Sequence, residues 1–72
     1  MQVPHDNLTV GMTVWYRYSR SSIQGPFDVS QISRDHEGDW VMLERRREKR
    51  KVHLSDDEDF GMLLFYDADP SA

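Results

Sequence analysis

The sequence predicts an all-β protein, and three observations carry that prediction. From Val10 to Tyr18 the chain reads Val-Gly-Met-Thr-Val-Trp-Tyr-Arg-Tyr. Val10, Met12, Val14, Tyr16 and Tyr18 then share one side of an extended segment, and Thr13, Trp15 and Arg17 share the other. Two further apolar runs, Trp40–Leu43 and Met62–Tyr66, are short and bounded by polar or glycine-bearing stretches, the pattern of strands separated by turns. The third observation is negative: Glu44–Lys51 has no apolar side chain. A helix there would run roughly two turns with no face to bury, held only by ion pairs worth a few tenths of a kcal/mol each.

The elements follow in order. After the strand at Val10–Tyr18, Ser19–Gly25 carries little apolar material apart from Ile23 and ends in Gly25-Pro26, which reads as a connecting loop. Phe27 and Val29 alternate with Asp28 and Ser30 in a second strand, but Ile32 falls out of phase, and a bulge near Ser30–Gln31 that rotates the strand accounts for it. Asp35-His36-Glu37-Gly38-Asp39 is a polar turn with a glycine for positive φ, leading into the third strand at Trp40–Leu43. The fourth, Lys51–Leu54, points Val52 and Leu54 one way and His53 the other. Glu44–Lys51 is then a protruding β-hairpin, although no Gly, Asn or Asp at its tip specifies the turn. Ser55-Asp56-Asp57-Glu58 fits a capping box and predicts a short helical turn ended by Gly61. The acids would then lie at the positive end of that turn's dipole. Met62–Tyr66 is the fifth strand, and the polar Asp67–Ala72, containing Pro70, is a frayed tail.

Size and composition narrow the function classes. At 72 residues the chain supports one domain spanning 1–72, with its core in about 8–67. The absence of cysteine excludes disulfides and thiolate metal sites and fits a reducing compartment. The longest apolar run is far short of the roughly 20 residues of a membrane span, and no basic-then-apolar leader opens the chain. A cytoplasmic protein with no membrane partner is expected. Asn7-Leu8-Thr9 fits a glycosylation sequon, a tripeptide common by chance.

The order of these elements, together with the opening stretch Leu8-Thr9-Val10-Gly11-Met12-Thr13-Val14-Trp15-Tyr16, resembles a Src-homology-3-like barrel of the Tudor or KOW type. The resemblance covers roughly Leu8 to Asp67 and implies a small five-stranded barrel with one helical turn before the last strand. The Ala-Leu-Tyr-Asp-Tyr and paired-tryptophan motifs of the peptide-binding Src-homology-3 family are missing, so binding of proline-rich peptides is not implied.

The charge distribution supplies the candidate site. The net charge is −4, yet six of the nine Lys and Arg residues fall in Arg45–Lys51. Arg45, Arg46, Arg47, Lys49, Arg50 and Lys51 are offset there only by Glu48, a local charge of +5, whereas Ser55–Ala72 carries −6. A guanidinium-rich protrusion suits contacts to an RNA or DNA backbone or to an acidic protein surface. The plain structural alternative is a solvated hairpin whose charges keep exposed strands from pairing with other chains. The acidic remainder repels a polyanion, so only a local nucleic-acid contact is compatible with it. Trp15 and Trp40 lie out of phase with the inward residues and add outer-face contact area. They are candidates for a cation cage or stacking platform with Tyr18 or Tyr66, a use that Tudor-like barrels make of aromatics, or else simply cover the sheet.

Catalysis and metal binding find no motif. His5, His36 and His53 lack metal-ligand spacing, Asp56, Asp57 and Asp59 lack the glycine and spacing of a calcium loop, and no nucleophile, base and orienter are set together. The expectation is therefore a non-enzymatic binding module without cofactor, monomeric or weakly self-associating through its opposed charges, whose partner is a protein or a nucleic acid. A second expectation is a small acidic phage or mobile-element product that blocks a host factor, with its acidic end mimicking nucleic acid.

Overall fold

In the computed structural model, residues 1–36 and 38–71 are described, so Glu37, in the expected turn, and Ala72, in the expected tail, lie outside the described residues. The chain forms strands β1 (Gln2–Val3), β2 (Thr13–Tyr18), β3 (Gln24–Asp35), β4 (Gly38–Arg45), β5 (Glu48–His53) and β6 (Leu63–Tyr66), with a 3-10 turn at His5–Asn7. All neighbours pair antiparallel in one sheet of order β1-β6-β2-β3-β4-β5. The all-β expectation holds. The number and closure of strands do not: six strands make an open, barrel-like sheet with β1 and β5 at its edges.

One inner face builds the core. Val14 and Tyr16 of β2, Phe27 and Val29 of β3, Val41 and Leu43 of β4, Val52 of β5, and Leu63 and Phe65 of β6 are buried with Val3, Leu8 and Leu54 in a single cluster. Each such side chain contributes roughly 1.5–3 kcal/mol by leaving water. Val3 and Val52 belong to opposite edge strands and still share this cluster, so the sheet curls on itself without joining its edges. The 3-10 turn closes one open end, where the Arg34 guanidinium of β3 donates to the His5 carbonyl at 3.0 Å and pairs with Asp6 at 3.3 Å.

Two bulges shape β3. Val29 faces Leu43 and Gln31 faces Met42, which leaves Ser30 as the extra residue. That is the bulge expected from the phase of Ile32, and it turns Ile32 back toward the core opposite Val41. A second irregularity lies where Val14 faces Phe27 and Tyr16 faces Gln24, so Gly25 and Pro26 together oppose Trp15. Gly25-Pro26 thus lies inside β3 and does not end a loop.

Three expectations about local structure are corrected. Val10 is 64% exposed and outside any strand, because Gly11 at φ +98° turns the chain before β2 begins. β1 and the 3-10 turn were not expected. Third, no helical turn precedes β6. Asp57 and Gly61 exchange backbone hydrogen bonds at 3.0 and 2.7 Å, a reciprocal pair that makes an antiparallel bridge where a helix would make only one of the two, and the Asp57 carboxylate accepts from the amides of Asp59 and Phe60 at 2.8 and 3.1 Å. The acids do brace a turn, but Asp57 takes the role assigned to Ser55.

Candidate binding surface

The β4–β5 hairpin forms as expected and is tighter than the sequence specified. Arg45 faces Glu48, leaving only Arg46 and Arg47 as the connection. Arg46 adopts φ +52°, a conformation uncommon for side chains other than Gly, Asn and Asp.

Strand parity divides the basic residues into two sets. Residues facing one another across an antiparallel pair project to the same side. Leu43 faces Arg50 and Val41 faces Val52 on the core side, so Arg45, Glu48 and Arg50 follow them inward. Their guanidinium carbons lie 4.7 Å (Arg45) and 5.1 Å (Arg50) from the Phe27 ring centroid. Arg50 donates to the Tyr16 hydroxyl at 2.9 Å and to the Glu48 carboxylate, and Arg45 pairs with Glu48 at 3.4 Å. The Tyr16 hydrogen bond, followed by that from Glu48, holds Arg50 in its charged form against the opposing effect of burial. These two arginines are a polar cover over one end of the core.

The other set faces out. Lys49 lies 3.8 Å from Glu44 but is 73% exposed, so that pair is worth little. Lys51 places its ammonium 4.5 Å above the Trp40 ring, a cation–π contact. Arg46 and Arg47 at the tip have no hydrogen-bond or ion-pair partner among the described residues. A cleft of about 510 Å³ beside the tip is lined by Arg45 and Arg46 together with Asp28 and Glu44, so carboxylates interrupt the positive charge on that side.

The two tryptophans are not brought together. Trp40 faces Ser33 of β3, whereas Trp15 lies across Gly25, eight residues away in the chain, or roughly 20–25 Å along a strand. Trp15 instead neighbours Tyr66 on the outer face, and Tyr18 lies on the core side, its ring 6.1 Å from that of Phe60. Trp40 stands beside Lys51, and Trp15 packs on Gly25, whose carbonyl accepts from Arg45 at 3.5 Å, so each tryptophan borders a different part of the basic run. Tyr16, Tyr18, Gln24, Arg50 and Phe60 line a separate groove of about 280 Å³. Burial raises the Tyr18 phenol pKa, with smaller contributions from Asp57 and Tyr16.

His5, Asp56 and Asp67 have structural partners. His5 donates from Nε2 to the Leu63 carbonyl at 3.0 Å and meets Phe65 edge-on. Asp56 accepts from the Leu63 amide at 3.3 Å, and Asp67 from the N-terminal ammonium at 2.8 Å, which lowers the Asp67 pKa. Among the described residues no group of three His, Asp or Glu side chains is placed to hold a metal, and no helix is long and apolar enough to cross a membrane. Tyr16 and Phe27, which hold Arg45 and Arg50 together with Glu48, are partners that the charge pattern does not reveal. No family model matches the chain, and no curated protein or solved structure matches it.

Proposed function

We propose that the protein is a non-enzymatic binding module, built on a scaffold of Src-homology-3-like type, whose β4–β5 hairpin engages an acidic surface of a protein partner. One observation carries this reading. Arg45 and Arg50 are taken up by Phe27, Tyr16 and Glu48, while Arg46, Arg47, Lys49 and Lys51 remain directed outward on one tip and one strand. Unneutralised arginines at a strained tip contribute little to folding, and they suit carboxylates in a partner.

A protein is favoured over a nucleic acid because the outward cations are few and interrupted by Glu44 and Asp28, and because the two tryptophans do not form one stacking platform. A single-strand binder would combine a continuous basic groove with adjacent stacking rings. The test compares the intact protein with an Arg46→Glu/Arg47→Glu variant against polyglutamate and oligothymidylate at matched salt. Polyglutamate binding that the double substitution abolishes supports the proposal. Equal binding by the variant would overturn it, and a preference for oligothymidylate, with affinity falling steeply with salt, would move the reading to nucleic acid.

A further inference from the structure

We infer that the free edge of β5 receives an extended acidic segment of the partner as an added antiparallel strand, with the ligand's carboxylates seated over Lys49 and Lys51. The inference rests on the reading of the hairpin as an acid-binding surface and specifies how that surface works. β5 is a terminal strand of the sheet, six residues long, whereas the opposite edge, β1, has two residues and ends at Pro4, which has no amide proton.

Backbone parity shows which groups are free. The Leu54 amide donates to the Asp39 carbonyl at 2.9 Å, so Leu54 faces β4, and Val52, Arg50 and Glu48 share its parity. Lys49, Lys51 and His53 therefore turn their amides and carbonyls away from β4, toward the open edge. The same three residues carry their side chains on the outer face, since Arg50 and Val52 point to the core side. Each exposed pair of backbone groups is thus coupled to a side chain that is cationic, or is a histidine.

This coupling selects the strand that can be added. Two β5 edges placed antiparallel would bring like charges opposite each other, which is destabilising, so the edge resists pairing with its own copy. A strand with acids at alternate positions meets no such penalty: its carboxylates fall opposite Lys49 and Lys51, while its backbone supplies the missing hydrogen bonds. Arg46 and Arg47 extend the same positive strip beyond the strand end.

The probe is a seven-residue peptide alternating Glu and Val, with both ends blocked. Glutamates opposite Lys49, Lys51 and His53 direct their own amides at β5, and the valine amides point away. N-methylation of the glutamate amides should weaken binding about tenfold or more, the consequence of losing the hydrogen bonds that those three amides make. N-methylation of the valine amides should leave binding within about twofold, a difference near RT. Amide resonances of Lys49, Lys51 and His53 should shift on addition of the unmodified peptide. A Lys49→Glu/Lys51→Glu variant should lose this peptide and bind its lysine–valine counterpart. Equal weakening by the two methylation patterns, or no binding of the unmodified peptide, overturns the added strand. If polyglutamate still binds through Arg46 and Arg47, the hairpin reading survives that failure, and if polyglutamate fails as well, both fall.

Discussion

Replacing Arg50 with alanine separates the two sets of basic residues most sharply. Its guanidinium donates to the Tyr16 hydroxyl at 2.9 Å, pairs with Glu48 and lies 5.1 Å from the Phe27 centroid, with its side chain 36% exposed. A sheltered hydrogen bond to a charged group contributes about 1.5–3 kcal/mol, an exposed cation–π contact about 0.5–1, and a surface ion pair about 0–1. These contributions share one side chain, and water screens part of each, so a net loss of about 2 kcal/mol is the reasonable sum. For a chain of this length that lowers Tm by about 8–16 °C. Arg47→Ala removes a charge with no partner among the described residues and should change stability by no more than about 0.5 kcal/mol. Arg50→Lys should fall between, because an ammonium keeps the charge but not the fork that reaches Tyr16 and Glu48 together. Thermal and urea unfolding of the three variants supply the readout. Equal Tm values for Arg47→Ala and Arg50→Ala would refute the division of the hairpin into core-covering and outward cations.

Three further predictions follow from the same packing. Gly25→Ala would place a methyl 2.5 Å from Trp15 Cδ1 at φ +148°, so it should cost about 1–3 kcal/mol and change the tryptophan emission, and a neutral result would mean that Trp15 does not rest on this glycine. Arg46→Gly relieves a left-handed residue at φ +52° and should be neutral or stabilising by up to about 1 kcal/mol in urea unfolding, while weakening polyglutamate binding; marked destabilisation would contradict the tip geometry. Tyr18 has its pKa raised above 10.0, chiefly by burial, so its contribution to stability is complete below the unfolded value and is lost as pH rises through the folded value. Tyr18→Phe should flatten the alkaline fall of the urea midpoint, and an unchanged slope would show that Tyr18 ionises as freely folded as unfolded.

Much of the fold was legible because it depends on period-two patterning. Val14 and Tyr16 are buried where the alternation put them, and the displaced phase of Ile32 located the Ser30 bulge. What was misread depends on interactions between segments distant in the chain. Gln2–Val3 is too short to show a period, and it becomes a strand only because Tyr66 and Phe65 supply an edge. Val10 continued the alternation on paper, but Gly11 already marked a break in it. The turn before β6 was misassigned because Ser55–Glu58 satisfies a local capping pattern, whereas the reciprocal bonds between Asp57 and Gly61 close the loop more tightly.

The site was legible in composition but not in direction, although the direction was encoded in the same residues. Val41 and Leu43 point to the core, so continued alternation sends Arg45 the same way, and Val52 does likewise for Arg50 and Glu48. Counting charge over Arg45–Lys51 treats all six cations as equivalent. Parity makes Arg45 and Arg50 continuations of the apolar stripe, where their flat guanidinium faces suit Phe27 better than a lysine stem would. It makes Lys49 and Lys51 the outward complement on the open edge. The chemistry agrees with this division, since planar cations stand where a ring must be covered and a hydroxyl reached, and flexible ammonium groups stand where a ligand of variable geometry would arrive. Exchanging the types, Arg50→Lys with Lys51→Arg, keeps the net charge and should cost stability through the first change while sparing acid binding through the second.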